Sequence, residues 1–276
     1  MLPDAEIIAY NGAFIPIEVG HYPGGEPIIK DVPKGISALI VRPRGMDSLM
    51  AGLFLAEVML DRQSKRIDLI IPYFPGARQD RLLSEGDKLL TVRSIGRIIS
   101  DIDSIERVKV LDPHSSQVER YLWKHRIYSA AFVWGWDTPE TPYAGVIAPD
   151  KGAIDRAIKV ADYLDIDRIL FGRKRRDPVT GKLTGFELEG GESIYKPGGP
   201  SRYLVVDDIC DGGGTFLGLA DELDRYSIKA DLYVTHGIFS KGTEELLKRY
   251  GKIYCSDSIV GEKPGVQVIR TVERMV

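Results

Sequence analysis

Residues 203–215 combine the residue types of a phosphate-binding loop. An apolar, β-rich run, Tyr203 to Val206, stops abruptly at the acid pair Asp207 and Asp208. A third acid and a glycine cluster follow, before a helix-like run: Asp211, Gly212, Gly213, Gly214 and Thr215. Bare backbone N–H groups of a glycine loop can close around an anion, and the start of a helix adds positive potential. The pattern therefore predicts a phosphate site at the carboxyl end of a strand.

The acid pair needs a separate explanation, because carboxylates would repel a phosphate. Asp207 and Asp208 are expected to hold ribose hydroxyls, or a Mg²⁺ ion that bridges to phosphate. The alternative is an ordinary strand–turn–helix whose acids only cap the helix. Three acids and three glycines within the eight residues 207–214 favour the phosphate site.

Four further polar stretches also follow apolar strand patterns. Their candidate ligand residues are Arg78, Gln79 and Arg81 in the first, His114 in the second, Asp150 in the third, and the basic cluster Arg173, Lys174, Arg175 and Arg176 in the fourth. Guanidinium groups match phosphate oxygens, and carboxylates suit Mg²⁺. The basic cluster opens a long irregular segment, residues 173–200, which suits a lid that closes on phosphates.

Each stretch also has a simpler interpretation. The arginines could form a solvated turn, His114 could be structural, Asp150 could be only an N-cap, and the basic cluster could be a solvated charge run. Their shared position is stronger evidence, because open α/β sheets bind ligands outside the carboxyl ends of their strands.

The elements that must position these residues form an α/β pattern, in which apolar β-branched runs alternate with amphipathic stretches of helical length. The predicted strands are Glu6–Tyr10, Ala38–Val41, Asp68–Pro72, Arg107–Leu111, Gly145–Ala148, Arg168–Phe171, Arg202–Val206, Ala230–Thr235, Lys252–Cys255 and Gln267–Ile269. The predicted helices are Asp47–Asp61, Thr91–Ile99, Gln117–Trp123, Gly152–Leu164, Gly214–Tyr226 and Lys241–Tyr250. A change in composition near residues 134–142 predicts a domain boundary there.

Composition excludes several function classes. The 276 residues can bury a sizeable core, and the net charge of −3 lacks the basic field of a nucleic-acid binder. The apolar runs are too short to span a bilayer, and the N-terminus lacks a signal-peptide pattern. The two cysteines, Cys210 and Cys255, lack metal-ligand spacing, and so low a cysteine content favours a reducing, cytoplasmic compartment. The charge and the short apolar runs predict that the protein has no nucleic-acid or membrane partner.

Together these motifs resemble the ribose-phosphate pyrophosphokinase (PRPP synthetase) family, over most of the chain from Tyr22 onward. The loop from Val206 to Thr215 is similar to the PRPP-binding signature of type I phosphoribosyltransferases in general. The synthetases are indicated by further stretches: Pro72-Tyr73 with Ala77-Arg78-Gln79-Asp80-Arg81, Asp112-Pro113-His114, Pro149-Asp150, Lys174-Arg175-Arg176 and Thr235-His236-Gly237-Ile238-Phe239-Ser240.

The resemblance implies an α/β fold of two phosphoribosyltransferase-like domains, each a mainly parallel sheet flanked by helices. Residues 1–138 would form the N-terminal domain on the ATP side. Residues 139–276 would form the C-terminal domain with the PRPP loop, and the last residues could pack back on the N-terminal domain. A cytoplasmic homo-oligomer, from dimer to hexamer, is expected on the same ground.

The resemblance also implies a role for each candidate residue. ATP would be bound by Tyr22, Glu26, Arg78 and Gln79. The ribose 5-phosphate would be held by Asp207, Asp208, Asp211, Gly212, Gly213, Gly214 and Thr215. His114 and Asp150 would be Mg²⁺ ligands, and Lys174 and Arg176 would be the catalytic residues of the lid.

The implied reaction is Mg²⁺-dependent transfer of the diphosphoryl group of ATP to the anomeric hydroxyl of ribose 5-phosphate, giving PRPP and AMP. The stretch after His114 departs from the family pattern, which leaves open a larger acceptor with a ribose 5-phosphate end, such as ADP-ribose. Two other readings stay open: a phosphoribosyltransferase that consumes PRPP, and a non-catalytic family member that regulates a partner synthetase.

Overall fold

The computed structural model describes residues 4–63, 65–80, 90–137, 142–176, 183–189 and 201–276, and it divides the chain into two compact units. The first unit comprises the chain up to Tyr128, together with Ser258–Gly261 and Thr271–Val276. The second comprises Ser129–Asp257 and Glu262–Arg270. The division follows Tyr128, whereas the sequence places the boundary after residue 138.

The first unit is built on a six-stranded sheet with the order β2-β1-β5-β6-β7-β8. Its strands are β1 (Ile7–Tyr10), β2 (Phe14–Pro16), β5 (Ala38–Val41), β6 (Ile67–Ile70), β7 (Ile105–Leu111) and β8 (His125–Tyr128). A separate hairpin pairs β3 (Val19–His21) with β4 (Pro27–Ile29). The helices are α1 (Met46–Glu57), α2 (Met59–Gln63), α3 (Thr91–Ser100) and α4 (Gln117–Tyr121), and Val272–Met275 forms a short 3₁₀ helix. The four strands from β5 to β8 are parallel, while β1 and β2 are antiparallel.

The second unit is built on a seven-stranded sheet with the order β11-β10-β9-β12-β13-β14-β15. Its strands are β9 (Gly145–Ala148), β10 (Ile169–Arg176), β11 (Leu183–Glu189), β12 (Arg202–Cys210), β13 (Lys229–Gly237), β14 (Ile253–Ser256) and β15 (Gln267–Ile269). The helices are α5 (Ala130–Asp137), α6 (Ile154–Tyr163), α7 (Gly214–Arg225) and α8 (Glu244–Leu247), and a 3₁₀ turn covers Lys151–Ala153. All pairs are parallel except β10 with the edge strand β11.

The central strands explain why the α/β pattern is so clear in the sequence. Every residue of β5 and β9 is buried, because helices cover both faces of a parallel sheet. Such strands become continuous apolar runs instead of alternating ones. The predicted α/β architecture of mainly parallel sheets with flanking helices is confirmed.

The structure differs from the sequence prediction mainly at sheet edges and turns. Strands β2, β8 and β11 were not predicted, because edge strands carry polar residues or are too short for a period to show. The predicted helix Asp47–Asp61 is two helices that meet at Val58. The predicted helix Lys241–Tyr250 shrinks to α8, because Gly242 adopts a positive φ of 76° that no right-handed helix accommodates.

Among the described residues, no helix has the length and apolar character needed to cross a membrane. Cys210 and Cys255 are both buried free thiols, and burial raises the pKa of each to about 12. Both are therefore protonated packing residues without nucleophilic character at neutral pH.

Candidate active site

The acid pair and Asp150 lie at the carboxyl ends of neighbouring strands of the second unit. Strands β9 and β12 run parallel, with Ile147 of β9 paired with Val205 of β12. The β9 strand ends at Ala148, so Asp150 emerges at the same edge of the sheet as Asp207. The second unit thus brings together one predicted Mg²⁺ ligand and the predicted ribose-binding acids.

Arg156, a residue that the sequence analysis overlooked, pairs with both members of the acid pair. Its Nη1 atom lies 3.6 Å from Oδ1 of Asp207, and its Nη2 atom lies 3.9 Å from Oδ2 of Asp208. The three side chains are 10%, 14% and 6% exposed, respectively. Because charges in such a site are poorly screened, the guanidinium offsets one of two closely spaced negative charges.

The ionised form of the acid pair is unfavourable even with Arg156 beside it. Burial raises the pKa of Asp207 well above its ordinary value, and the neighbouring Asp208 carboxylate raises it further. Arg156 lowers that pKa only in part. The backbone N–H of Asp208 also donates a hydrogen bond to Oδ1 of Asp207, at 2.9 Å. The ionised form of the pair is therefore destabilised by burial and mutual repulsion, and its carboxyl oxygens are suited to accept hydrogen bonds from hydroxyl donors.

Arg156 also connects the acid pair with the turn that carries Asp150. Its Nη1 atom donates to the carbonyl oxygen of Gly152, at 3.4 Å. Oδ1 of Asp150 in turn accepts a hydrogen bond from the N–H of Gly152, at 2.9 Å, so that Asp150 caps the following 3₁₀ turn. Asp150 is thus an N-cap residue, as the simpler interpretation predicts, and this hydrogen bond uses one of its two carboxylate oxygens.

The glycine loop leads from β12 directly into α7. Gly213 adopts a φ of 76°, a left-handed conformation that favours glycine, and it is the N-cap residue of α7. No side chain caps this helix, which has twelve residues. A β-carbon on Gly214 would meet no atom within 4 Å. The start of α7 thus has open space beside Gly214 and no side-chain cap, as an anion site at a helix N-terminus requires.

The loop is braced by the segment that follows β13. Oγ of Ser240 donates to Oδ1 of Asp211 at 2.6 Å, and the N–H of Ser240 donates to the carbonyl oxygen of Asp211 at 3.2 Å. The N–H groups of Ile238 and Phe239 both donate to the carbonyl oxygen of Cys210, at 2.9 and 3.0 Å. These bonds fix the loop's backbone before any ligand binds.

The basic cluster begins inside a strand, which the sequence did not predict beyond residue 171. Strand β10 extends past the end of β9, so the backbone of Lys174 and Arg176 lies beyond the carboxyl end of that neighbour. Gly172 makes this approach possible, because a β-carbon there would lie 2.6 Å from the carbonyl oxygen of Pro149. The side chains of Lys174 and Arg176, and residues 177–182 and 190–200 of the predicted lid, lie outside the described part of the chain.

In the first unit, two predicted stretches lie at neighbouring strand ends. Strands β6 and β7 are parallel, and the N–H of Leu111 donates to the carbonyl oxygen of Pro72 at 3.1 Å. The loop with Arg78 and Gln79 therefore begins beside the start of the loop with His114. All three side chains are exposed, and Oγ1 of Thr91 donates to Oε1 of Gln79. Arg81 lies outside the described residues.

Tyr22 and Glu26 belong to the turn of the separate β3–β4 hairpin. The N–H of Tyr22 donates to the carbonyl oxygen of Glu26 at 2.9 Å, and Tyr22 is 57% exposed. Gly25 supplies the positive φ of this turn, 96°. The hairpin is not hydrogen-bonded into the six-stranded sheet, so it presents both side chains on an independent projection.

The described residues contain no cluster of three or more His, Cys, Asp or Glu side chains arranged to hold a metal ion. Of the two predicted metal ligands, His114 belongs to the first unit and Asp150 to the second. A carboxylate such as Asp150 suits Mg²⁺, which commonly uses one or two carboxylates and completes its coordination with water and substrate phosphates. The donor type therefore fits this ion.

Comparison with curated proteins finds the same kind of protein repeatedly, over nearly the whole chain. A ribose-phosphate pyrophosphokinase of Pyrococcus abyssi is 25% identical over 279 residues, which cover 98% of this chain and 93% of the relative. Another from Thermococcus kodakarensis is 28% identical and covers 84% of this chain and 81% of the relative. The chain is thus similar to ribose-phosphate pyrophosphokinases. This confirms the resemblance drawn from its motifs.

A bacterial relative and a solved structure agree with this placement. The ribose-phosphate pyrophosphokinase of Cereibacter sphaeroides is 27% identical over 98% of this chain and 80% of its own length. The crystal structure of phosphoribosylpyrophosphate synthetase from Mycobacterium smegmatis superposes with a TM-score of 0.76 over 94% of this chain and 87% of that one, at 18% identity. That structure supports the fold. No protein-family model matches the chain.

Among the functional groups, Arg156 is the one that sequence reasoning missed, although a signal was present. Helix α6 buries Ala157, Val160 and Ala161, and Arg156 stands one turn before Val160 on that same face. A charged residue on the apolar face of a helix that follows a predicted ligand turn indicates a buried partner, here the acid pair.

Proposed function

We propose that this chain is an ATP-dependent diphosphotransferase that transfers the diphosphoryl group of ATP to the anomeric hydroxyl of ribose 5-phosphate, giving PRPP and AMP. The observation that carries the proposal is the edge of the second sheet, where Asp150 follows β9, the acid pair lies near the carboxyl end of the adjacent strand β12, and the glycine loop follows β12. Similarity to ribose-phosphate pyrophosphokinases over nearly the full chain supports it.

In the proposed reaction, the anomeric oxygen attacks the β-phosphorus of ATP in line. A bond forms between that oxygen and the β-phosphorus, the bond from the β-phosphorus to the α–β bridging oxygen breaks, and AMP leaves while the hydroxyl proton is lost. Such transfers need little covalent participation by the protein, so positioning and charge neutralisation supply most of the acceleration.

The second unit would position the acceptor. Backbone N–H groups of the glycine loop, Gly212–Thr215, would bind the 5-phosphate, with Asp211 held in place by Ser240. Asp207 and Asp208 would accept hydrogen bonds from the ribose hydroxyls, which orients the ring and leaves the anomeric hydroxyl at the reacting end. Arg156 would keep both carboxylates in the required geometry.

The remaining candidate residues would serve ATP and the transferring group. Arg78, Gln79, Tyr22 and Glu26, all in the first unit, would bind ATP. Lys174 and Arg176 would neutralise the charge of the transferring group. His114 and Asp150 would hold Mg²⁺, which supplies charge neutralisation on the phosphate oxygens when bound.

A direct assay tests the proposal. The purified protein is incubated with ATP, Mg²⁺ and ribose 5-phosphate, and AMP release is measured together with PRPP formation. We expect equimolar AMP and PRPP, with no AMP when the sugar phosphate is omitted. No AMP with ribose 5-phosphate would rule out the proposed reaction.

The same assay with ADP-ribose decides the acceptor. AMP formed faster with ADP-ribose than with ribose 5-phosphate would replace the acceptor while keeping the chemistry. Binding of PRPP without any binding of ATP would instead identify a phosphoribosyltransferase. Cytoplasmic location and assembly into a homo-oligomer stay predictions of the sequence.

A further inference from the structure

Lys241 lies against the glycine loop, although it comes from a different segment of the chain. Its Cδ and Cε atoms lie 3.5 Å from the position that a β-carbon on Gly212 would occupy. The aliphatic stem therefore covers the first glycine of the loop, and the ammonium group is one bond beyond Cε. Long lysine stems commonly lie along a surface in this way while the charged end stays hydrated.

The backbone holds Lys241 in this place independently of its side chain. Ser240, the preceding residue, is bonded to Asp211 through both its N–H and its hydroxyl group. The N–H of Gly242, the following residue, donates to the carbonyl oxygen of Phe239 at 2.9 Å and closes a turn. Lys241 is thus the exposed residue of a turn that is anchored to the phosphate loop on its N-terminal side.

A further cation beside the loop would favour the binding of a phosphate, because three carboxyl groups lie close to the loop. Asp207, Asp208 and Asp211 all lie within a few residues of the glycines. Arg156 pairs with the first two, and Ser240 is a neutral partner of the third. A phosphomonoester carries nearly two negative charges at neutral pH, whereas loop N–H groups and a helix N-terminus supply only partial positive charge.

We infer that Lys241 is a specificity-determining residue of the acceptor site, which pairs with the terminal phosphomonoester of a sugar phosphate bound in the glycine loop. This inference rests on the proposed function of that loop. Among the residues that the structure describes, no carboxylate forms an ion pair with Lys241, so its charge is available to a ligand. A free pentose 5-phosphate is the acceptor that fits, because its phosphate is a dianion, whereas each phosphate of ADP-ribose is a monoanionic diester.

Lys241→Met tests the charge, since methionine retains most of the stem. We expect the KM for ribose 5-phosphate to rise about tenfold, as for loss of one charge-assisted hydrogen bond, with kcat and the KM for ATP unchanged. Lys241→Arg should recover most of the affinity. Lys159→Met, at an exposed lysine of α6 in the same unit, is the matched control and should behave as wild type.

Three results would overturn the inference. The first is an unchanged KM for ribose 5-phosphate in Lys241→Met. The second is a loss seen in Lys241→Ala but not in Lys241→Met, which would show that only the packing of the stem matters. The third is an equal rise in the KM for ADP-ribose and for ribose 5-phosphate, which would show that Lys241 does not distinguish a monoester from a diester.

Binding of ribose 5-phosphate without ATP, measured by calorimetry, separates this inference from the proposed function. If the wild-type protein releases no AMP but binds the sugar phosphate about tenfold more tightly than Lys241→Met, the proposed reaction fails and the role of Lys241 stands. Equal binding by both proteins, or no binding by the wild-type protein, overturns the role of Lys241.

Discussion

The two units place their candidate ligand residues at similar points of similar sheets, yet the side chains differ in burial and in pairing. In the second unit the acid pair is buried and already paired with Arg156. In the first unit Arg78, Gln79 and His114 are exposed on loops after β6 and β7. The candidate site of the second unit is thus preorganised by its own fold, whereas the candidate residues of the first unit are exposed; under the proposed function these would be the acceptor side and the ATP side.

This difference has a physical cause. Ribose hydroxyls are weak, neutral donors, so a site for them gains affinity only if its acceptors are fixed and desolvated in advance. A triphosphate brings a high negative charge, and exposed arginines can bind it through long-range attraction and bidentate contacts. Variants in the second unit should therefore alter stability or turnover, and variants in the first unit should alter mainly the KM for ATP.

The largest effect is expected at the start of the predicted lid. Lys174→Ala should lower kcat about 10³-fold or more, because a cation on the transferring group acts mainly in the transition state. Arg173→Ala is the matched control, since Arg173 forms an exposed ion pair with Glu189 at 3.3 Å, and it should retain turnover within a few-fold. Near-normal kcat for Lys174→Ala in steady-state assays would remove Lys174 from the catalytic role.

Arg156→Gln should be the most destabilising of these changes. It leaves Asp207 and Asp208 as buried carboxylates without their cation, which typically costs about 3–5 kcal/mol. Arg156→Lys should recover part of the loss. Urea unfolding can follow this unit through the fluorescence of Trp134, which is buried and only 2% exposed.

The control for Arg156 lies in the first unit. Arg44 forms an exposed pair with Glu6 at 3.7 Å, so Arg44→Gln should change the free energy of unfolding by less than about 1 kcal/mol. Equal effects of Arg44→Gln and Arg156→Gln would contradict the contrast between a preorganised and an exposed site.

Arg78→Ala should separate binding from stability in the first unit. Loss of one charge-assisted contact should raise the KM for ATP about tenfold, while kcat and the KM for ribose 5-phosphate change little. The melting temperature should stay within a degree or so of wild type, because the side chain is exposed. A shift in the KM for ribose 5-phosphate alone would assign Arg78 to the other substrate.

The smallest effect concerns the pH dependence of stability. Because the pKa of Asp207 is raised, the folded state binds more protons than the unfolded state between the ordinary and the raised pKa. The free energy of unfolding contributed by Asp207 therefore falls as the pH rises through that window. Asp207→Asn should lose this component and be more stable at neutral pH by about 1 kcal/mol, while binding ribose 5-phosphate less well.

Urea unfolding of wild type and Asp207→Asn at several pH values measures this component. A wild-type stability that rises with pH across the window, relative to Asp207→Asn, would show that Arg156 outweighs the burial of the pair.

Much of the fold could be predicted from the sequence, because parallel strands that are buried on both faces consist of continuous apolar runs. Val146-Ile147-Ala148 and Tyr203-Leu204-Val205-Val206 are continuous apolar runs bounded by polar turns, so their position and their carboxyl ends were predictable. The edge strand β11 and the hairpin of β3 and β4 were not, since their stability depends on pairing with a neighbour and leaves little periodicity.

The glycine loop shows the same division within a single site. The sequence by itself determined its chemistry, because glycine adopts a positive φ such as that of Gly213 more readily than any other residue, and the acidic residues are identified by their type. Only the tertiary structure decided what stands beside it. Arg156 and Lys241 reach the loop and its acids from segments about fifty residues before and thirty after. A local pattern can mark Arg156 as a charged residue on an apolar helix face, but its partners depend on strand order and helix packing.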